Sequence, residues 1–374
     1  MGLVKNKLNQ HTLLIGATGS GKTTTALLIV KQLIERLNQT VIIIDGKGDH
    51  DLIDKIKLID SNAFIWTIRG IKEYNPLATD NSVILVDKIM SLFNFSEAHY
   101  EAIAHNYLLL IVKSLQNAKI PTTFHNIVKY FSLSSLKKII KKDSIEYDHY
   151  LSFTNNEKDI NGLMHRLSVY MQNLGTSVGK NNSLSSLVNN HKIILFSLNS
   201  LNYPQLASNV GKLIVQDLKE FASLKPKEQR INVILDEFNV FASDTIINLI
   251  NKTRSFNYQV FLCFQTLNDL KINRTNLTDT IFGNCGNIIA HNLKDPNSAE
   301  YIAKVFGTQT TDKQTKQTDK TEKTGKGSTR EVEEYIVHPN ELKNLKIGEA
   351  YCKILLPSSK QLIYKIIIKE DKKA

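Results

Sequence analysis

The chain has 374 residues, of which 42% are hydrophobic, an ordinary share for a globular protein and enough to bury a sizeable core, and the length points to about two domains. Its 47 Lys and Arg against 36 Asp and Glu leave a formal charge of +11, which suits polyanionic partners such as nucleic acid or an anionic membrane surface, or equally a lysine-rich solvated face. Three scattered cysteines, Cys263, Cys285 and Cys352, have no CxxC spacing and exclude a disulfide frame or a cysteine zinc site. The histidines are unclustered too, with His99 and His105 too far apart on one predicted helix to stack as a metal pair. No apolar run approaches a membrane span, and no signal peptide precedes residue 11, so a cytosolic protein is expected.

The first element is the run Thr12–Gly16, a strand that leads into Gly16-Ala17-Thr18-Gly19-Ser20-Gly21-Lys22-Thr23 and then into a helical pattern that begins with Thr24. Glycines at 16, 19 and 21 let the backbone curl so that successive N–H groups point at a di- or triphosphate, and the following helix adds its positive N-terminal end. In this pattern Lys22 reaches the β- and γ-phosphates and the Thr23 hydroxyl ligates Mg²⁺. A chance glycine-rich turn is the bland alternative, but the full GxxxxGK[ST] pattern in its strand, loop and helix context predicts nucleotide binding.

A second strand, Val41–Asp45, runs into the turn "DGKGDHD", where Gly46 and Gly48 flank Lys47 and a tight turn accounts for the glycines. Further strands are expected at Phe64–Ile68, Lys192–Leu198, Asn232–Phe238, Gln259–Gln265 and Asn287–His291, alternating with helices such as Gln205–Ser223. This alternation is the signature of an α/β fold with a central, mostly parallel sheet flanked by helices. Residues 96–190 differ, because apolar residues recur there at helical spacing without a convincing strand, and they are expected to form an inserted all-α domain. The part that carries the phosphate loop is then discontinuous, 1–95 and 191–374.

The run "INVILDEF" places Asp236 and Glu237 at the C-terminal end of a hydrophobic strand, the edge where doubly wound sheets hold ligands. Asp236 is expected to hold Mg²⁺, directly or through water, and Glu237 to polarise the attacking water, so hydrolysis is favoured over transfer to a small metabolite. Gln265 closes "VFLCFQ" and is either a γ-phosphate sensor or an ordinary strand-end polar residue. Arg254 in "NKTRSFNYQ" is either an arginine finger for a neighbouring subunit or a surface arginine. Thr308 to Glu333 is low-complexity and is expected to be a flexible, solvated loop within the ATPase domain, after which a helical turn and two final strands are expected, one ended by Pro357.

The pieces "GATGSGKT", "IIIDGKGD", "YNPLA", "VILDEF", "TRSFNYQVFLCFQTLNDL" and "VHPNELKNLKIGEA" together resemble the TraG/TraD-like coupling proteins of bacterial conjugation and type IV secretion, within the HerA/FtsK class of DNA-pumping ATPases. The resemblance implies a RecA-like P-loop NTPase that uses ATP and Mg²⁺, assembles as a homo-hexamer and moves DNA, usually single-stranded and carried with a relaxase, toward a secretion channel. It implies a trans finger at Arg254, a sensor at Gln265 and a structural or DNA-facing role for Lys47. Where the family usually has Pro after the Asp of the "DxKGD" turn, this chain has Gly46. Family members also carry transmembrane helices before the ATPase core, whereas here the phosphate loop begins at residue 16, so either a soluble member docks on a membrane partner or the chain is a truncated piece. A viral or phage DNA-packaging ATPase and a nucleotide-gated adaptor that translocates nothing are the competing readings.

Overall fold

The computed structural model describes residues 10–369 apart from 94, 96, 156, 227, 242–245, 247–248, 251–255, 273–274, 320–321, 357 and 359; Arg254 and Pro357 lie outside the described residues. The strands are β1 (Thr12–Ile15), β2 (Thr40–Asp45), β3 (Phe64–Thr67), β4 (Tyr74–Asn75), β5 (Val178–Ser183), β6 (Ile193–Ser197), β7 (Ile231–Asp236), β8 (Tyr258–Phe264), β9 (Lys271–Ile272), β10 (Thr275–Asn276), β11 (Asn287–Ala290), β12 (Thr308–Asp319), β13 (Glu322–Tyr335), β14 (Glu349–Leu355) and β15 (Gln361–Ile367). The fold is α/β, with a mostly parallel sheet flanked by helices, as the alternation predicts. The chain divides into two compact units, one holding Ile29–Leu262 and the other Gln10–Leu28 with Cys263–Ala374.

In the first unit the strand order is β8-β7-β2-β6-β3. Strands β6 and β7 both pair in parallel with β2, and β3 pairs in parallel with β6. Their near-continuous apolar runs, Val41–Ile44, Ile193–Phe196 and Ile231–Leu235, interrupted only by Asn232, are buried along their whole length, as parallel strands covered on both faces require. The register sets Asp45 level with Ser197 on one side and with Asp236 on the other, so three polar residues end neighbouring strands together.

Residues 96–190 carry the helices α4 (Ala98–Asn117), α5 (Phe124–Lys129), α6 (Leu133–Leu136), α7 (Ile145–Phe153), α8 (Glu157–Leu174) and α9 (Leu184–Asn190), numbered after α1 (Lys22–Glu35), α2 (His50–Ile59) and α3 (Ser82–Met90). Leu108, Ile111 and Leu115 line the buried face of α4 at helical spacing, and Tyr107 packs edge-on against Phe131 and Phe153 with ring centroids 5.3 and 5.1 Å apart. The segment also holds β5, which pairs with β4, a strand that its polar sequence VGKNNS does not announce.

The motif "YNPLA" acquires a physical role in this unit. Tyr74 donates its hydroxyl to Asp217 on α10 (Pro204–Leu224), and Lys88 on α3 donates to Asp217 Oδ1 at 2.6 Å, to Pro76 O at 2.9 Å and to Glu220. All these side chains are buried, and burial raises the pKa values of Asp217 and Tyr74 above their ordinary values. Removing the one cation strands two carboxyl groups in an apolar site, so Lys88→Met should cost about 3–5 kcal/mol of stability in urea denaturation. A loss under about 1 kcal/mol would show that the cluster is not coupled through Lys88.

In the second unit the order is β15-β14-β11-β1, with β1 parallel to β11 and the pairs β11–β14 and β14–β15 antiparallel. Short strands β9 and β10 pair with each other. From Thr308, where a loop was expected, β12 and β13 instead form a long antiparallel hairpin from Thr308↔Tyr335 to Asp319↔Glu322. It has little apolar sequence, but threonine recurs through both of its strands, and β-branched residues favour the extended backbone. No helix among the described residues is long and apolar enough to cross a membrane.

Candidate active site

The loop between β1 and α1 is built without side chains where they would collide. Gly19 and Gly21 take positive φ of 75° and 106°. A Cβ on Gly16 would lie 2.6 Å from His291 Cβ and 2.7 Å from Ser20 Oγ. The backbone is tied down on three sides within this unit: Gly16 N donates to Phe264 O at 3.3 Å, Ala17 N to Asn292 O at 2.8 Å, and Gly348 N to Ser20 O at 3.2 Å. Lys22, the first residue of α1, folds its ammonium back over the loop and donates to Gly16 O at 2.5 Å and Ala17 O at 3.3 Å. Thr23 follows it on the exposed side of the first turn, with Thr24 beside it.

The loop also meets the end of β8. Thr18 donates its hydroxyl to Gln265 Oε1 at 2.8 Å, while Gln265 N donates to Asp269 Oδ2 at 2.8 Å. The amide predicted as a sensor thus touches the phosphate loop. Beneath the loop the Ser20 hydroxyl is buried with no hydrogen-bond partner among the described residues. A cradle that excludes Cβ atoms, a lysine folded over it and an orphaned buried hydroxyl fit an anionic phosphate chain.

The acidic pair sits in the other unit, at the end of β7. Glu237 has φ 49° and ψ 46°, a left-handed conformation that is unusual for a residue with a side chain, and its N–H donates to Asp236 Oδ1 at 3.1 Å. Gly46 N donates to Asp236 O at 3.0 Å, and a Cβ on Gly46 would lie 2.8 Å from Glu237 O. Proline could not donate this bond, which gives the chain's departure at Gly46 a local reason.

Asp45 is the residue that sequence reasoning passed over in this turn. Its buried carboxylate accepts from Lys47 N at 2.9 Å, Gly48 N at 2.9 Å and Asp49 N at 3.0 Å, an Asx-type turn whose signal is an Asp that closes a strand before a Gly-rich stretch. Burial raises the Asp45 carboxyl above its usual range, against those three donors. Lys47 itself is exposed, and its ammonium pairs with Asp49 Oδ2 at 3.2 Å, the main cause of its raised pKa. His291, Asn292 and Gly348 were likewise missed, since no local pattern marks a residue that reaches the loop from a distant strand.

Residues 2–236, more than half of the chain, match the family described as "Helicase HerA, central domain". The chain belongs to this HerA family. Residues 230–346 of the HerA-family chain match a second family, "TraM recognition site of TraD and TraG", in line with the resemblance read from its motifs. Over 108 residues it is 33% identical to an uncharacterised protein of Mycoplasma pneumoniae (strain ATCC 29342 / M129 / Subtype 1), a match covering 28% of this chain and 72% of that one. In fold it is similar to the bacterial conjugative coupling protein TrwBΔN70, with a TM-score of 0.70 at 16% identity over 98% of this chain and 86% of the other. It is also similar to VirB4 of Thermoanaerobacter pseudethanolicus, with a TM-score of 0.63 at 13% identity over 97% and 90%. As a HerA-family protein with a complete phosphate loop, the chain is a P-loop ATPase.

Two outcomes test this geometry. Gly16→Ala should abolish MgADP binding in calorimetry while leaving a folded protein, because the added methyl must displace the loop; unchanged affinity would contradict the close packing. His291 has its pKa pushed down to about 4, chiefly by burial and then by the Lys22 charge. The unfolded chain therefore takes up a proton near pH 6.5 that the folded chain refuses, so this stabilisation is present above pH 6.5 and lost as the pH falls toward 4, by about 3 kcal/mol. Urea denaturation at pH 7 and pH 4 should show a shallower loss in His291→Gln than in the parent; identical losses would contradict it.

Proposed function

We propose that this chain is an ATP-hydrolysing DNA translocase that acts as a coupling protein, delivering DNA with its relaxase to a type IV secretion channel. The observation that carries the reading is the co-occurrence in one chain of the HerA match, with its complete phosphate loop, and the match to the TraM recognition site of TraD and TraG. Solved structures of the fold-relative TrwB in complex with ADP and Mg²⁺, and with an ATP analogue, support ATP and Mg²⁺ as its ligands.

The roles follow from chemistry. The backbone N–H groups of Thr18, Gly19 and Gly21 would donate to phosphate oxygens while those of Gly16 and Ala17 hold the loop in place, Lys22 would neutralise the β- and γ-oxygens, and Thr23 with Asp236 would hold Mg²⁺. When bound, Mg²⁺ draws charge from the phosphate oxygens. Glu237 orients the attacking water and takes its proton. Gln265, on the loop through Thr18, reports the γ-phosphate, and Arg254 reaches the site of a neighbouring subunit in a homo-hexameric ring. Residues 96–190 form the inserted domain of a discontinuous ATPase domain, 1–95 and 191–374, and Lys47 serves the ring as a structural or DNA-facing residue. The chain works in the cytoplasm, at the inner face of the membrane through a partner.

DNA contacts go to phosphates and not to base edges, so binding should weaken steeply with salt and depend little on sequence. Steady-state hydrolysis of ATP by the purified protein should rise at least tenfold with single-stranded DNA, and fall at least a hundredfold in Lys22→Ala and in Glu237→Gln. Nucleotide binding with no turnover in the presence of DNA would overturn the motor reading in favour of a switch.

A further inference from the structure

His291 follows β11 and is fully buried. Its backbone extends the pairing of β1 with β11, since His291 N donates to Ile15 O at 2.8 Å and the next residue accepts from Ala17 N. Its imidazole bridges two other elements. Nδ1 lies 3.1 Å from Glu349 O, the first residue of β14, and a carbonyl can only accept, so Nδ1 carries the hydrogen. Nε2 is then the acceptor on the neutral ring and lies 2.9 Å from Thr25 Oγ1, whose hydroxyl hydrogen is shared with Gly21 O at 3.0 Å. Next to Glu349, Gly348 N donates to Ser20 O. The loop and the first turn of α1 are therefore pinned to the start of the β14–β15 hairpin by one backbone bond and one imidazole bridge.

We propose that His291 is a positioning residue of the phosphate loop, bridging Thr25 of α1 and Glu349 of β14 so that the loop's amides are set for nucleotide phosphates before nucleotide arrives. The bridge links the C-terminal hairpin to nucleotide affinity. Without the imidazole, the Glu349 carbonyl and the buried Thr25 hydroxyl each lose one partner and the space under Gly16 opens.

This inference rests on the reading that the loop holds nucleotide, and its test uses MgADP binding by calorimetry, without DNA or turnover. The dissociation constant should rise about tenfold in His291→Ala and in Thr25→Val, and the double variant should be little worse than either single one, because both remove one bridge. His291→Gln, which offers a donor and an acceptor, should recover affinity to within about threefold of the parent. Tyr107→Phe, which loses a buried hydrogen bond to Phe131 O in the helical segment, should be less stable to urea yet bind MgADP like the parent. Should His291→Ala not fold, Thr25→Val and His291→Gln still decide the matter. Single variants that bind within twofold of the parent, or effects that multiply to about a hundredfold in the double variant, would overturn the bridge. A parent chain that binds no MgADP would instead remove the nucleotide reading itself.

Discussion

The site depends on a turn between β1 and α1 that leaves no room for a side chain at its first residue. Gly16 is hemmed in by His291 and Ser20, its N–H is taken by the end of β8, and the next N–H is taken by Asn292 O. These contacts come from strands far along the sequence, so the loop holds its shape by tertiary packing and not by glycine alone. Glycine at 19 and 21 supplies the left-handed backbone that the curl needs, and Lys22 closes over the result.

The acidic end of β7 follows a related logic. Asp45 gathers three backbone donors and so fixes the turn after β2, and that turn brings Gly46 N onto Asp236 O. Glu237 then leaves the strand in a left-handed conformation, which costs about 1–3 kcal/mol for a residue with a side chain. Strain of this kind is retained where the surroundings determine it, and here the carbonyl of Glu237 lies where Gly46 has no Cβ and accepts from Val240 N. The turn and the acidic pair are one packed structure.

Much of this was legible in the sequence. The seven strand runs of the sheet read from the sequence were visible as short, largely apolar stretches rich in aliphatic and aromatic residues, because a strand covered on both faces is mostly apolar, and the phosphate loop was readable because its residue types answer to chemistry. The HerA-class resemblance was carried by the same runs and is matched by the family. The polar hairpin from Thr308 to Tyr335 was not legible, since pattern reasoning looks for a buried face and the extended preference of threonine is a weaker signal. Nor were His291, Asn292 and Gly348, whose roles come from the register of β1 against β11 and of β11 against β14 and leave no local trace. Asp45 stood in view inside a quoted turn, but its role appears only when three amide donors converge on it.

The most direct test of the account is movement of DNA itself. A labelled third strand annealed as a short triplex at one end of a DNA carrying a single-stranded tail reports passage of a motor along the tail by its release. The account predicts release that requires hydrolysable ATP, ceases with Glu237→Gln and slows with added salt. Hydrolysis of ATP on the same DNA with the third strand left in place would contradict it.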